Sequence, residues 1–233
     1  MFFSHPLIEG LLLKRYKRFF VELEHAETKE ILIAHCPNTG SMQGALELPQ
    51  RAFLSRAENP NRKLKYTLEI LEHNGTLVGA NTHNTNYLAE EAIRTGVIEE
   101  FLGFKSLVRE RKYGINSRID ILLEDKNGTP TYIEVKNVSM TDMDGCSLFP
   151  DSVTERGTKH LHELMEIAAQ GKRAVMLFIA QRGDVDTFAP AATVDPIYAK
   201  TLREAQQKGV EILAYNCDVS PSQILVTKKL NTL

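Results

Sequence analysis

Two acidic residues and one lysine stand in two short segments that alternate between aliphatic and polar residues. Asp120 precedes Ile121 in the first segment, and Glu134 and Lys136 flank Val135 in the second. Successive side chains of a strand point to opposite faces, so the aliphatic residues occupy one face and the charged residues the other. Close carboxylates repel unless a cation lies between them, and hard divalent cations prefer oxygen ligands. We therefore predict a Mg²⁺ or Mn²⁺ site built on Asp120 and Glu134.

The turn between the two segments decides whether the carboxylates meet. If Asn127 and Gly128 alone formed the loop, Asp120 would point away from Glu134. A loop running from Lys126 to Gly128, with Gly128 in the left-handed conformation, sets the two acids directly opposite each other. Directly opposed residues place their Cβ atoms about 4.5 to 5.5 Å apart. We predict this longer loop.

A site of this kind suits phosphate chemistry. A bound cation activates water and neutralises charge on a phosphodiester, and Lys136 stabilises the attacking hydroxide or the phosphorane oxygens. The same residues also fit a second interpretation, in which Arg118, Asp120, Glu134 and Lys136 form a ladder of weak salt bridges on an exposed hairpin. The pattern alone leaves both interpretations open.

The first 80 residues predict a small barrel. Short segments of strand-forming residues are separated by turn sequences such as Pro37-Asn38-Thr39-Gly40 and Asn74-Gly75. The predicted strands are Phe19–Glu24, Glu30–Cys36, Arg51–Arg56, Lys65–His73 and Thr76–Val78. Strands of this number and length fit an oligonucleotide-binding (OB) barrel, and other small barrels fit equally well. We assign residues 1–80 to the barrel and expect it to bind nucleic acid.

Residues 81–233 predict an α/β domain with a central mixed sheet. The predicted helices run from Asn84 or Thr85 to about Thr95, over roughly Glu155–Gln170, and over Pro196–Lys208, with Gly96 and Gly171 as C-terminal stops. The predicted strands are Ser117–Glu124, Thr131–Asn137, Arg173–Ala180 and Val210–Tyr215. Ser152 and Glu155 have capping-box spacing, so the second helix is expected to begin there. A hairpin followed by alternating helices and strands indicates a mixed sheet with helices on its faces.

The composition is typical of a soluble globular protein. The chain has 233 residues, of which 42% are hydrophobic and 25% charged. Cys36, Cys146 and Cys217 lie far apart, which excludes a disulfide framework and a cysteine-based zinc site. The apolar N-terminal segment precedes its basic residues, the reverse of a secretory signal, and no segment approaches the length of a membrane span. We expect a cytoplasmic protein without a membrane partner.

The net charge of −2 gives no overall attraction to nucleic acid, so any binding depends on local basic clusters. Such clusters lie within Lys14–Arg18, Arg51–Lys65 and Lys105–Lys112, and each alone also fits a solvated surface. Lys159 and His160 open a predicted helix whose apolar stripe packs inward, so both side chains can face a groove. The candidate nucleic-acid-binding residues are Arg15, Arg18, Arg62, Lys63, Arg118 and Lys159.

The charged hairpin resembles a known nuclease motif. Asp120 followed by Glu134-Val135-Lys136 is similar to the PD-(D/E)xK motif of restriction-endonuclease-like nucleases. In that group an acidic residue from a preceding helix often completes the metal site. The resemblance assigns this role to Glu91, with the adjacent Glu90 as the alternative.

A more specific resemblance extends over essentially the whole chain. Four strings are similar to those of the sugar fermentation stimulation protein (SfsA) family: His35–Met42, Tyr113–Asp120, Tyr132–Val138 and Phe149–Leu161. This resemblance implies an N-terminal OB-like barrel and a C-terminal restriction-endonuclease-like domain. It also implies binding of single- or double-stranded DNA without strong sequence preference.

Two functions are consistent with these observations. The first is a Mg²⁺- or Mn²⁺-dependent nuclease that uses Asp120, Glu134, Lys136 and Glu91. The second is a non-catalytic DNA-binding regulator of sugar (maltose-type) metabolism that keeps the nuclease scaffold. An enzyme acting on a small phosphorylated or sugar-like ligand is a third possibility, suggested by the family's name alone.

Overall fold

The computed structural model describes residues 1–113, 117–142 and 144–233. The string Tyr113–Asp120 therefore includes three residues outside this description. The strands are β1 (Ile8–Tyr16), β2 (Phe20–His25), β3 (Ile31–His35), β4 (Gln50–Arg56), β5 (Tyr66–His73), β6 (Thr76–Gly79), β7 (Ser106–Tyr113), β8 (Ser117–Glu124), β9 (Pro130–Val138), β10 (Met140–Thr141), β11 (Cys146–Phe149), β12 (Arg173–Ala180), β13 (Thr187–Pro190), β14 (Glu211–Val219), β15 (Ile224–Lys229) and β16 (Asn231–Thr232). The α-helices are α1 (Thr85–Arg94), α2 (Glu155–Ala169) and α3 (Pro196–Gln207).

The N-terminal strands form a closed barrel. They are ordered β3-β2-β1-β4-β5, and β3 pairs back to β5 in parallel, so five strands enclose the interior. Leu12, Val21, Leu23 and Leu68 are fully buried inside it. Each such side chain stabilises the fold by about 1.5 to 3 kcal/mol through the apolar surface it removes from water.

The barrel uses a strand that the sequence did not indicate. β1 contains three consecutive leucines and a register shift between Leu12 and Lys14, so it lacks the alternation by which strands are recognised. Conversely, β6 pairs with β5 beyond the point of closure, as a hairpin extension. The expected OB-like barrel is therefore present, but β1 takes the place that the sequence assigned to Thr76–Val78.

The second part of the chain is built on a mixed sheet ordered β15-β14-β12-β9-β8-β7. β12 pairs in parallel with both β9 and β14, whereas the remaining pairs are antiparallel. Side chains of β12 alternate between two cores: Leu177 packs with α1 on one face, and Phe178 packs with α2 and α3 on the other. This arrangement confirms the expected mixed sheet with helices on both faces.

A smaller sheet, ordered β10-β11-β13-β16, was not anticipated. Its strands are two to four residues long, too short to give a periodic signal. β11 leads directly into the segment that precedes α2. That helix is capped by Thr154, whose side chain accepts a hydrogen bond from the backbone N–H of Gly157, so Ser152 is not the cap residue.

The barrel loop 37–44 is bonded to the second part of the chain. Ser41 donates its hydroxyl hydrogen to the carbonyl of Asp151 at 2.6 Å, and the Asp151 carboxylate accepts the backbone N–H of Met42 at 2.9 Å. The fully buried Arg182 donates to the carbonyl of Gly44 and, at 2.8 Å, to that of Ser139. These bonds fix the barrel beside the segment that enters α2. Among the described residues, no helix is long and apolar enough to cross a membrane.

Candidate active site

The β8–β9 hairpin has the register predicted from its sequence. Ile121 pairs with Ile133 and Glu124 with Pro130, and the backbone of Asp125 bonds to that of Thr129. The loop is therefore 126–128, closed by Gly128 at a φ of 80°. The paired residues of this ladder end at Ile121 and Ile133, and one further step in this register would set Asp120 opposite Glu134. The prediction of the longer loop is confirmed.

Asp120 lies where the hydrogen-bonded ladder of the hairpin ends. Its carboxylate accepts the backbone N–H of Val135 at 2.8 Å and the side-chain amide of Asn86 at 3.1 Å. Burial and the negative charge of Glu134 raise its pKa to about 6, although these hydrogen bonds favour the ionised form. Asp120 thus carries negative charge that its surroundings do not fully compensate.

Glu134 is only 4% exposed and has two nitrogen neighbours, the amine of Lys136 and the ring of His160. Its Oε1 accepts a hydrogen bond from Nζ of Lys136 at 2.6 Å and also contacts Nδ1 of His160. Burial opposes ionisation, but the hydrogen bond from His160 and the charge of Lys136 outweigh it and hold the pKa of Glu134 below its ordinary value. Glu134 is therefore ionised near neutral pH.

His160 and Asn86 complete the surroundings of the two acids. His160 comes from the beginning of α2, and its Nδ1 lies 3.0 Å from Nζ of Lys136. The sequence indicated only that His160 can face a groove, and the contact of Asn86 with Asp120 was not predicted. Their contacts join segments far apart in sequence, so no local pattern could have shown them.

The acids lie in a continuous cleft. One part, of about 510 Å³, is lined by Asp120, Glu134, Lys136, His83, Asn86 and Arg156, among others. A second part, of about 410 Å³, shares Asp120, Glu134 and Arg156 and adds Arg118, Lys159 and Glu110. Because the two parts share residues, basic side chains stand beside the acids, as phosphate binding would require.

The structure does not bring Glu91 to this cleft. Residues four apart share a helix face, so Asn86 and Glu90 lie on one side of α1 and Glu91 is rotated away. The Glu91 carboxylate forms an ion pair with the amino group of Met1. Glu90, the alternative, pairs with Arg94 at 2.8 Å and Arg109 at 3.2 Å. The expected third ligand position on α1 is thus corrected: Asn86 is the residue that reaches Asp120.

The six basic residues predicted to contact nucleic acid lie in two places, the cleft and the barrel. Arg118 and Lys159 line the cleft, whereas Arg18 and Lys63 are exposed and Arg62 half-buried on the barrel. Arg15 has a different role from the one expected, since it donates to the carbonyls of Asn38 at 2.9 Å and Gly40 at 2.8 Å. Its guanidinium holds the loop at residues 38–41 and is not free for a phosphate.

The two acids fit a hard cation by their donor chemistry. Their oxygens are the ligands that Mg²⁺ and Mn²⁺ prefer. Burial and the charge of Glu134 raise the pKa of Asp120, and a cation would oppose both effects by favouring the ionised carboxylate. Within the described ranges, no third His, Cys, Asp or Glu joins them in a metal-binding group. A cation here would therefore rely on two carboxylates.

Comparison with known proteins identifies the relatives of this chain. The model of the "SfsA N-terminal OB domain" matches residues 13–80, and that of the "Sugar fermentation stimulation protein RE domain" matches residues 83–223. The chain belongs to the sugar fermentation stimulation protein family. The resemblance noted in the sequence is thereby confirmed, as is the fold class of an OB-like barrel followed by a restriction-endonuclease-like domain.

Family members align with this chain over nearly its full length. A sugar fermentation stimulation protein homolog of Maricaulis maris is 51% identical over 230 residues, covering 99% of this chain and 97% of that one. A homolog of Geobacter sulfurreducens is 44% identical, covering 100% and 99%. The structure of Pyrococcus furiosus SfsA, described as a complex with Ca²⁺, superposes with a TM-score of 0.90 at 28% identity and covers 100% of this chain and 98% of that one.

Proposed function

We propose that this SfsA-family protein is a divalent-metal-dependent nuclease that cleaves phosphodiester bonds in DNA. The observation that carries the proposal is that Asp120 and Glu134 line the same cleft, with Lys136 hydrogen-bonded to Glu134. The Pyrococcus furiosus relative described with Ca²⁺ supports it, because Ca²⁺ also takes carboxylate oxygens as ligands. Because the substrate is DNA, the proposal places the protein in the cytoplasm.

In this proposal each residue has a stated role. Asp120 and Glu134 hold the cation, which is Mg²⁺ or Mn²⁺ and supplies a water activated at neutral pH together with charge neutralisation. Lys136 stabilises the negative charge that develops on the phosphorane oxygens. His160 orients the Glu134 carboxylate, and Arg118 and Lys159 bind the phosphates that flank the scissile bond.

Titration calorimetry with MnCl₂ tests the site. We expect the unaltered protein to bind the ion and both Glu134→Gln and Asp120→Asn to lose binding, because each removes a charged ligand without changing side-chain size. Glu58→Gln, an exposed acid on the barrel, is the matched control and should bind as the unaltered protein does. Equal binding by all four proteins would exclude these two residues as ligands.

Cleavage is measured separately on single-stranded, duplex and branched DNA with Mg²⁺ or Mn²⁺. We expect products with the unaltered protein and none with Glu134→Gln or Asp120→Asn. Intact substrates that a binding titration shows to be bound would eliminate the nuclease.

A second function, a non-catalytic DNA-binding regulator of sugar metabolism, is favoured by one observation. Glu134 is already neutralised by Lys136 and contacted by His160, so that acid is balanced without a cation. For this function, DNA affinity should fall steeply with salt and survive Asp120→Ala. The nuclease is distinguished from it by metal-dependent product formation.

A further inference from the structure

A row of four rings crosses the outer face of the barrel and reaches the cleft. Tyr16 of β1 pairs with Phe20 of β2, and their rings stack at 5.4 Å with an interplanar angle of 11°. Phe20 in turn pairs with His35 of β3. The His35 ring lies 6.3 Å from the ring of His83, which lines the cleft that holds the two acids. We call Tyr16, Phe20, His35 and His83 the ring row.

The ring row is not part of the barrel core. Side chains alternate between the faces of a strand, and the adjacent Val21 and Ala34 fill the interior, where both are fully buried. Tyr16, Phe20 and His35 therefore point outward, and each remains half-buried instead of buried. Rings in such positions are available to stack with a ligand.

Basic residues lie near both ends of the part of the ring row that is on the barrel, at Tyr16 and at His35. Nζ of Lys14 lies over the Tyr16 ring, 5.4 Å from its centroid, and Lys17 and Arg18 are exposed in the following turn. At the other end, burial, the charge of Arg62 and that of His83 lower the pKa of His35. His35 is therefore a neutral ring with a cation nearby, which suits a base on its face and a phosphate beside it.

The row and the cleft form one path. His83 is the last ring, and the cleft continues from it past Asp120 and Glu134 to Arg118 and Lys159. Alternating aromatic rings and cations are how proteins bind single-stranded nucleic acid, because every base has a face that can stack. The bases of a duplex are stacked on each other and present no free faces to such a row.

We propose that the ring row is a stacking track for the unpaired bases of single-stranded DNA and leads the strand into the cleft at Asp120 and Glu134. The part of the proposal that leads the strand to Asp120 and Glu134 rests on the proposed nuclease function. It makes single-stranded DNA the substrate class of the nuclease site. The track itself binds DNA without a metal ion and without cleavage.

Fluorescence anisotropy of labelled oligothymidylates in EDTA tests the track. The lengths should span about 4 to 16 nucleotides, the range occupied on one OB fold. We expect Tyr16→Leu and Phe20→Leu each to weaken binding by about 5- to 150-fold, the range of one stacked base. Phe20→Tyr keeps the ring and should keep the affinity. Duplex DNA of equal length should bind more weakly than the single strand and respond to neither leucine variant.

Ile31→Ala is the matched control, because Ile31 is 52% exposed on the same face of the barrel but outside the ring row. It should leave the affinity unchanged, and thermal unfolding should show that all variants fold. The proposal is overturned if the leucine variants bind oligothymidylate as tightly as the unaltered protein, or if duplex binding falls equally.

The test separates this proposal from the nuclease function. If the leucine variants lose affinity and the unaltered protein cuts no DNA, the track stands and the nuclease is lost. If the protein cuts single-stranded DNA and the leucine variants bind and cut it as well as the unaltered protein does, the nuclease stands and the track is lost.

Discussion

Asp120 and Glu134 are both carboxylic acids, but their surroundings shift their pKa values in opposite directions. The carboxylate of Glu134 contacts Lys136 and His160. The carboxylate of Asp120 accepts hydrogen bonds from neutral N–H donors and lies near the charge of Glu134. Environments that push two neighbouring pKa values apart are typical of catalytic acids. Asp120 is therefore the acid whose protonation depends most directly on an added cation.

Asp120 should make the metal-free protein less stable as the pH rises from about 4 to about 6. Its pKa is raised to about 6, so in this window the folded protein holds a proton that the unfolded chain has released. Stability falls with pH wherever the folded state binds more protons, and the loss over this window is about 2 to 3 kcal/mol. The loss is complete and constant only above about pH 7, where Asp120 is ionised in the folded protein as well.

Urea unfolding in EDTA between about pH 4 and about pH 7 measures this effect. Glu134, with its lowered pKa, stabilises the folded state above its unfolded pKa and loses this contribution as the pH falls, which is the opposite trend. The difference between the unaltered protein and Asp120→Asn isolates the Asp120 contribution. A difference that stays constant with pH would show that Asp120 ionises as in the unfolded chain.

Local alternation was sufficient to place Asp120, Glu134 and Lys136 on one face of a hairpin. It could not show His160, because the contact with Glu134 is made between a strand and a helix 26 residues away. The assignment of Glu91 rested on a feature common among restriction-endonuclease-like nucleases. In the structure, Glu91 lies on another side of α1 and pairs with the amino group of Met1. The roles of Asp120, Glu134 and Lys136 in catalysis stay predictions.

At the scale of elements, a single loop sets the register on which the site depends. Asp125 accepts the backbone N–H groups of Asn127 and Thr129, each at 2.8 Å, and Gly128 takes the left-handed conformation. With a loop one residue shorter or longer, Asp120 would point to the opposite face from Glu134.

Replacement of Gly128 should lower stability through the backbone alone. A Cβ at this position would meet no atom within 4 Å, so the whole effect comes from the φ of 80°. We expect Gly128→Ala to lower the free energy of unfolding by about 1 to 2 kcal/mol. Gly128→Asn should lower it less, since Asn tolerates this conformation. Urea unfolding measures both, with Asn127→Ala as the control. Equal stability of Gly128→Ala and the unaltered protein would contradict the left-handed loop.

Elements with strong periodicity or clear turn residues were predictable, and those without were not. β8, β9, β12 and the three helices agree with their expected ranges to within about two residues, the usual uncertainty of helix and strand ends. β1 was missed because its leucines do not alternate with polar residues. The small four-stranded sheet was missed because its short strands are held in an extended conformation only by pairing with segments distant in sequence. The division of the chain at residues 80 and 81 stays a prediction.

At the scale of the whole molecule, the positions of the charges decide where a nucleic acid can bind more than the net charge does. The net charge of −2 repels DNA weakly. Within the predicted clusters, Arg51 and Arg109 form ion pairs with acids. Arg51 pairs with Glu9 at 2.7 Å and Glu72 at 2.8 Å, for example. If the protein binds DNA as proposed, the attraction to phosphates must come from the cations that line the cleft and the ring row.

The salt dependence of DNA affinity should identify which cations these are. Each phosphate contact on a single strand contributes about −0.7 to the slope of log affinity against log salt concentration. We expect Arg118→Ala and Lys159→Ala each to reduce the magnitude of the slope by about this amount, because both side chains line the cleft. The anisotropy titrations in EDTA, repeated over a range of NaCl concentrations, measure it.

Lys126→Ala is the matched control for this experiment. Lys126 carries the same charge on the same hairpin but lies in its loop, about 20 Å along the strand from Asp120 at 3.3 Å per residue. Its removal changes the net charge as Lys159→Ala does and should leave the slope unchanged. If all three variants changed the slope equally, the protein would attract DNA through its overall charge, and a path through the cleft would have no support.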